Sequence, residues 1–124
     1  MQEYTTPGEV PVAETETLTT SLYESYDQHP TRPAFATRVG DTFQTISTKA
    51  FVDEVIEVAA GLMGLGVEAG DRVCVMSPTR YEWTVLDYAI WAAGAVTVPI
   101  YETSSAEQVE WIVGNSGAVV LVVN

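Results

Sequence analysis

The sequence predicts an α/β fold in which an N-terminal helix and a β-hairpin precede a parallel β-α-β-α-β unit. Three observations carry this prediction. Short β-type runs at residues 71–76, 95–100 and 118–123 alternate with segments whose apolar residues recur at helical spacing. The loops between them are short, which implies parallel strands joined by right-handed crossovers. Upstream, two alternating runs flank Gly40-Asp41, a tight-turn pair that signals a hairpin.

Residues 1–16 hold four glutamates, two prolines and little apolar content, and read as a flexible acidic tail. The pattern changes at Leu18. Leu18, Leu22, Tyr23 and Tyr26 recur at helical spacing, with threonines 17, 19 and 20 as candidate caps and Pro30 as the stop. In "AFATRVGDTFQTIS", Phe35, Thr37 and Val39 alternate with Ala36 and Arg38, and a second strand follows the turn through Phe43. Ser47 or Thr48 then caps a longer helix with Phe51, Val55, Ala59, Leu62 and Met63 as its apolar stripe, ended by Gly64 and Gly66.

The parallel unit opens with "DRVCVM" (71–76) after the Gly70-Asp71 turn. A helix over 81–94 repeats Val85, Leu86, Ala89, Ile90 and Ala93 at 3.6 spacing, and the strand "AVTVPI" (95–100) follows. Ser104 with Glu107 forms a capping box for a helix whose Val109, Ile112 and Val113 face inward. The last strand, 118–123 within "GAVVLVVN", is uncharged and apolar, the pattern of a strand buried on both faces. If it stood at the sheet edge it would be a template for self-association.

Composition excludes several functions. The 17 acidic and 5 basic residues give a net charge of −12, which disfavours nucleic acid and anionic membrane surfaces as partners. The N-terminus lacks an apolar signal region, and "AIWAAGAVTVPI" is too short to span a bilayer, so the expected location is cytoplasmic. Cys74, the single cysteine, lies between apolar residues and reads as core. His29, the single histidine, precedes Pro30 and reads as a capping or surface residue.

Neither a Ser-His-Asp, a Cys-His nor a metal constellation can be assembled, so no catalytic and no metal residues are assigned. "GLMGLG" (61–66) has phosphate-loop glycines, but they fall at a helix end rather than between strand and helix. "VMSPTRYEW" runs from a strand into a helix N-terminus, where Arg80 and free N–H groups favour an anion. The simpler reading is that Ser77 or Thr79 caps the helix. "PIYETSSAEQ" (99–108) offers hydroxyls at Tyr101, Thr103, Ser104 and Ser105 at the next such turn. Trp83, Trp91 and Trp111 read as packing anchors, and Asp53, Glu54, Glu107 and Glu110 as solvated helix faces.

"GLGVEAGDRV", "EW", "AAGAVTVPIY" and "SGAVVLVV", in this order and spacing, resemble the N-terminal region of the AMP-forming, adenylate-forming synthetase superfamily. "YDQHPTRPAFATR" and "TISTKAF" resemble its lead-in, and "VPIYETSSAEQVEWI" is most similar to long-chain fatty acid–CoA ligases. The resemblance implies that residues 17–124 are a partial N-terminal subdomain, an incomplete part of a larger enzyme N-domain. Such an enzyme joins a fatty acid to ATP, releasing pyrophosphate, and the coenzyme A thiol then attacks the acyl-adenylate. It implies ATP, Mg2+ and CoA as cofactors of the full-length enzyme, with none held tightly by these residues alone.

The family's Ser/Thr/Gly-rich loop ending in Pro-Lys-Gly has no counterpart here, and Lys49 matches none of its lysines. By position, Tyr101, Glu102 and Thr103 occupy the turn that in related synthetases approaches the nucleotide end of CoA. The expected partners are the remainder of the same chain and the fatty acid, and the full-length enzyme is expected at most at a membrane periphery. Two alternatives remain at this point: a free-standing α/β interaction or binding module, and an adenylation domain of peptide synthesis.

Overall fold

The computed structural model describes residues 4–6, 8 and 11–124. Residues 1–3, 7, 9 and 10 of the predicted tail lie outside the described residues, and residues 11–16 are exposed. The elements follow the predicted order: α1 (Thr20–Gln28), β1 (Pro33–Val39), β2 (Thr42–Ser47), α2 (Thr48–Gly64), β3 (Arg72–Met76), α3 (Tyr81–Ala92), β4 (Val96–Ile100), α4 (Ala106–Ser116) and β5 (Val120–Val123).

The strands β1 and β2 form an antiparallel hairpin, and β4-β3-β5 form a parallel sheet in that spatial order. The chain moves from β3 to one side and then returns across it. With right-handed crossovers, that places α3 and α4 on opposite faces. Register agrees, because Val73 and Val75 join the core with α3, whereas the Cys74 sulfur points the other way, 3.7 Å from the Ser116 hydroxyl of α4.

The core lies on the α3 side. Phe51, Val52, Val55, Ala59 and Leu62 of α2 pack with Val85, Ala89 and Ile90 of α3 and with Val73 and Val75. Phe35 from the hairpin meets Phe51 at 4.7 Å and Tyr81 at 5.4 Å between ring centroids, closing one end of this core. Ser47 caps α2 by accepting from the Ala50 N–H, and the buried Thr48 hydroxyl donates to the Arg32 carbonyl at 3.0 Å, tying helix to hairpin. At the far end Gly66, with φ +93°, lets the Gly66 and Val67 N–H groups reach the Met63 and Leu62 carbonyls and drops Val67 into the core.

Several expectations are corrected. Leu18 precedes α1 and is exposed, as is Tyr23, and the helix is anchored by the buried Leu22 together with Tyr26, which packs against the core as predicted. Thr19 occupies the cap position without a side-chain capping bond, because the hydroxyls of Thr17, Thr19 and Thr20 bond one another. Met63 is exposed because it lies on the outer side of the last turn of α2, whose Leu62 faces the core, while Val52, outside the predicted stripe, is fully buried. The capping box is Ser105 with Gln108, one residue beyond the predicted Ser104 with Glu107, because Ser104 closes a turn onto the Tyr101 carbonyl.

The strand β5 is not buried on both faces. Val120 and Val122 pack toward the core, whereas Leu121 is 40% and Val123 is 60% exposed. It is the sheet edge, and α4 reaches over it too little to cover that face. No residue of α4 is buried.

Candidate functional site

At the carboxyl ends of β3 and β4 the chain leaves the sheet through two turns, residues 77–80 and 101–105. Between them lies a cleft of about 280 Å³, lined by Ser77, Thr79, Trp83, Pro99, Tyr101 and Glu102 among others. The cleft exists because parallel strands deliver both turns to one edge of the sheet, the usual place for ligands in open α/β folds. Tyr101 and Glu102, chosen from sequence, therefore wall a hollow, and both are exposed. Thr103 is also exposed but is not among the lining residues.

A second hollow, about 220 Å³, opens between the ends of β3 and β5, with Ser77, Arg80, Trp83, Leu86, Val122 and Asn124 on its wall. In the order β4-β3-β5 the chain leaves β3 for β4 and returns past it to β5, so the strand order reverses beside this hollow. Trp83 lines both hollows. Sequence reading took its ring only as a packing anchor. The signal was its position, three residues past Arg80 in the first turn of the helix that starts between the two hollows.

The N-terminus of α3 differs from expectation. Neither Ser77 nor Thr79 caps it. Arg80 holds the cap position in an extended conformation without a side-chain capping bond. Thr79 lies one residue too early to reach the first free amides, and the Ser77 hydroxyl donates to the Pro78 carbonyl instead. The Arg80 guanidinium is engaged as well. Its Nε and a terminal nitrogen donate to the Glu82 carboxylate at 2.6 and 2.7 Å, and this bidentate pair holds the Glu82 carboxyl down to about 2. Glu82 thereby supplies the negative charge that an external anion would bring to the helix start.

The remaining polar residues build structure. The Tyr81 phenol donates to the Glu54 carboxylate at 2.7 Å, joining α3 to α2, and partial burial with that bond pushes the phenol above its ordinary range. Asp53 accepts from Lys49 at 2.6 Å and from the Tyr26 phenol at 3.3 Å. Asp53 and Glu54 are thus half-buried ties rather than a solvated face, while Glu107 and Glu110 are exposed as predicted. Cys74 is fully buried and His29 is an exposed C-cap, in line with their sequence readings. Trp91 stacks edge-on against Tyr88 at 5.1 Å, but Trp111 is 67% exposed and anchors nothing.

Chemically, the first cleft offers hydroxyls, an aromatic wall and one carboxylate, and no basic side chain lines it. That suits a neutral, hydrogen-bonding or flat moiety and opposes a phosphate. Among the described residues, no three His, Cys, Asp or Glu gather to hold a metal ion, and no helix is long and apolar enough to cross a membrane.

Known proteins extend this picture. The long-chain-fatty-acid–CoA ligase FadD15 of Mycobacterium bovis is 42% identical over 121 residues, 98% of this chain and 20% of that protein. Its Mycobacterium tuberculosis counterpart is 41% identical over the same coverage. This chain thus spans about a fifth of the length of these relatives. The crystal structure of CmiS6 superimposes with a TM-score of 0.76 over 94% of this chain and 30% of that one, at 22% identity, and so shares the fold. The AMP-binding enzyme family matches residues 22–124, and the chain belongs to that family.

Proposed function

We propose that this chain forms the opening part of the AMP-binding domain of a long-chain fatty acid–CoA ligase, with residues 17–124 as a partial subdomain. The single observation behind this reading is the 42% identity to a long-chain-fatty-acid–CoA ligase across 98% of the chain. The complete enzyme couples a fatty acid to ATP, releases pyrophosphate and passes the acyl group to the thiol of CoA. Its partners are then the fatty acid and the rest of the ligase polypeptide, and its place is the cytoplasm or the membrane periphery.

The residues present do not fit the triphosphate or Mg2+. The first cleft has no cation, Arg80 beside the second is engaged by Glu82, and among the described residues no acidic cluster gathers for a metal. No step of the ATP chemistry is therefore assigned to this segment. Its contribution is a rigid sheet that positions the turn of Tyr101, Glu102 and Thr103. That turn borders the neutral part of CoA, while Glu102 keeps the phosphates at a distance.

Residues 1–124 alone are expected to show no fatty-acid-dependent ATP–pyrophosphate exchange, and clear exchange would overturn this assignment. The complementary test replaces the matching fifth of M. tuberculosis FadD15 with this chain. Retained acyl-CoA formation is expected, and a folded chimera that makes no acyl-adenylate sinks the reading.

A further inference from the structure

We propose that Trp83 sets the affinity of the ligase for its thiol acceptor, by receiving the uncharged, amide-bearing arm of CoA in the cleft between turns 77–80 and 101–105. The inference rests on the ligase reading and names a residue that the acceptor touches.

Of the three tryptophans only Trp83 lines this cleft, together with Pro78, Pro99, Ile100 and Tyr101. Its side chain is half-buried and packs against the core. Its backbone N–H meets the Arg80 carbonyl at 3.2 Å in the first turn of α3. The ring is thus held in place before anything binds, which lowers the cost of ordering it around a ligand.

The indole N–H is unspent. Among the described residues the Thr97 hydroxyl is the one side-chain polar group buried without a partner. The Trp83 N–H, which donates to no described residue, is therefore open to solvent. An indole on a pocket wall favours a hydrogen-bond acceptor, and here water fills that place until a ligand carbonyl displaces it.

Ring face and donor together suit a chain of methylenes and amides. The face covers the carbon atoms, and the N–H takes an amide oxygen. CoA presents such a chain between its thiol and its nucleotide. The nucleotide end fits less well. Glu102 shares the wall and no cation lines the cleft, so an adenine laid on Trp83 would bring its phosphates toward a carboxylate.

The M. tuberculosis FadD15 chimera that carries this chain tests the proposal. Trp83→Ala is expected to raise the KM for CoA about tenfold, the loss of one hydrogen bond and one ring contact. Fatty-acid-dependent ATP–pyrophosphate exchange, which needs no acceptor, is expected to hold. Trp83→Phe keeps a ring without the N–H, and a rise of about threefold is expected. Pantetheine, which lacks the nucleotide, is expected to lose as an acceptor by the same factor as CoA. Should Trp83→Ala fail to fold, Trp83→Leu, which refills the space without ring or donor, is read in its place. A CoA KM that ignores the substitution in an active chimera overturns this inference alone. So does a loss confined to CoA, which gives the ring to the nucleotide, or an equal loss of exchange, which makes Trp83 a packing residue only. A folded chimera with Trp83 intact that makes no acyl-adenylate removes the ligase reading and this inference with it.

Discussion

The two faces of the parallel sheet are built from the same strands and end in opposite states. On the α3 face, Val73, Val75, Ile90 and Ala89 are sealed from solvent, with α2 packed beyond them as a further layer. On the α4 face only Cys74 and Ile100 are buried, and Leu121, Val123 and Trp111 stay open. The strand sequences "VCV" and "VLVV" do not foretell this difference. Burial of a strand residue is decided by what its neighbours supply, and α4 supplies less than α3 backed by α2.

The comparison breaks first at its largest effect. Ile90→Ala empties a sealed site between α3, α2 and the sheet and is expected to cost roughly 2–5 kcal/mol in urea unfolding. Leu121→Ala, on the open face, is expected to cost less than about 1 kcal/mol when measured at a concentration that keeps the chain monomeric. Equal losses would mean that the α4 face is covered in solution by something the isolated fold does not provide.

A second, smaller effect tests what holds the thin side on. Arg72, at the start of β3, donates to the carbonyls of Ser116 at 2.8 Å, Gly117 at 2.8 Å and Gly70 at 3.0 Å. One side chain thus ties the C-terminus of α4 to the first residues of the sheet, and its charge complements the helix dipole there. Gly117 belongs to the same joint. It has φ +61°, and a Cβ on it would stand 3.0 Å from the Arg72 guanidinium. Arg72→Ala is expected to cost about 2 kcal/mol. Arg72→Lys restores less than half, because an ammonium cannot span the three carbonyls. Hydrogen exchange sharpens the point: amides of α4 and β5 are expected to lose protection in Arg72→Ala while those of α2 and α3 keep theirs.

How far the sequence disclosed this molecule follows the same division. Every element and the parallel β-α-β-α-β order were legible, because helical spacing, the Gly40-Asp41 turn and the glycines ending α2 are local signals. Side-chain partners were legible only where one local rule applied. The box at Ser105 and Gln108 competed with an equally good pattern one residue earlier, and the turn that consumes Ser104 decided between them. Val52 escaped because α2 is packed on more than one side, so its buried surface is wider than a single stripe. At the candidate site, Tyr101 and Glu102 came from position in a strand-to-helix turn, whereas the role of Trp83 needed the strand order. Pairs such as Tyr81 with Glu54, 27 residues apart, leave no periodic trace at all.

That last pair gives the smallest test, and it probes the well-packed side. Tyr81→Phe keeps the ring against Phe35 and Phe51 and removes only the hydroxyl, so about 1 kcal/mol is expected to be lost near neutral pH. Its signature is alkaline. Burial and the Glu54 carboxylate raise the folded phenol above the ordinary tyrosine value of about 10, so above that pH the unfolded chain gives up a proton that the folded chain retains. The stability due to Tyr81 is therefore complete below about pH 10 and declines as pH rises toward the folded value. Urea midpoints of the unaltered protein are expected to fall more steeply above pH 10 than those of Tyr81→Phe, where this contribution is absent. Parallel alkaline limbs in the two proteins would show that the phenol is free in solution and that α2 is joined to α3 by apolar packing alone.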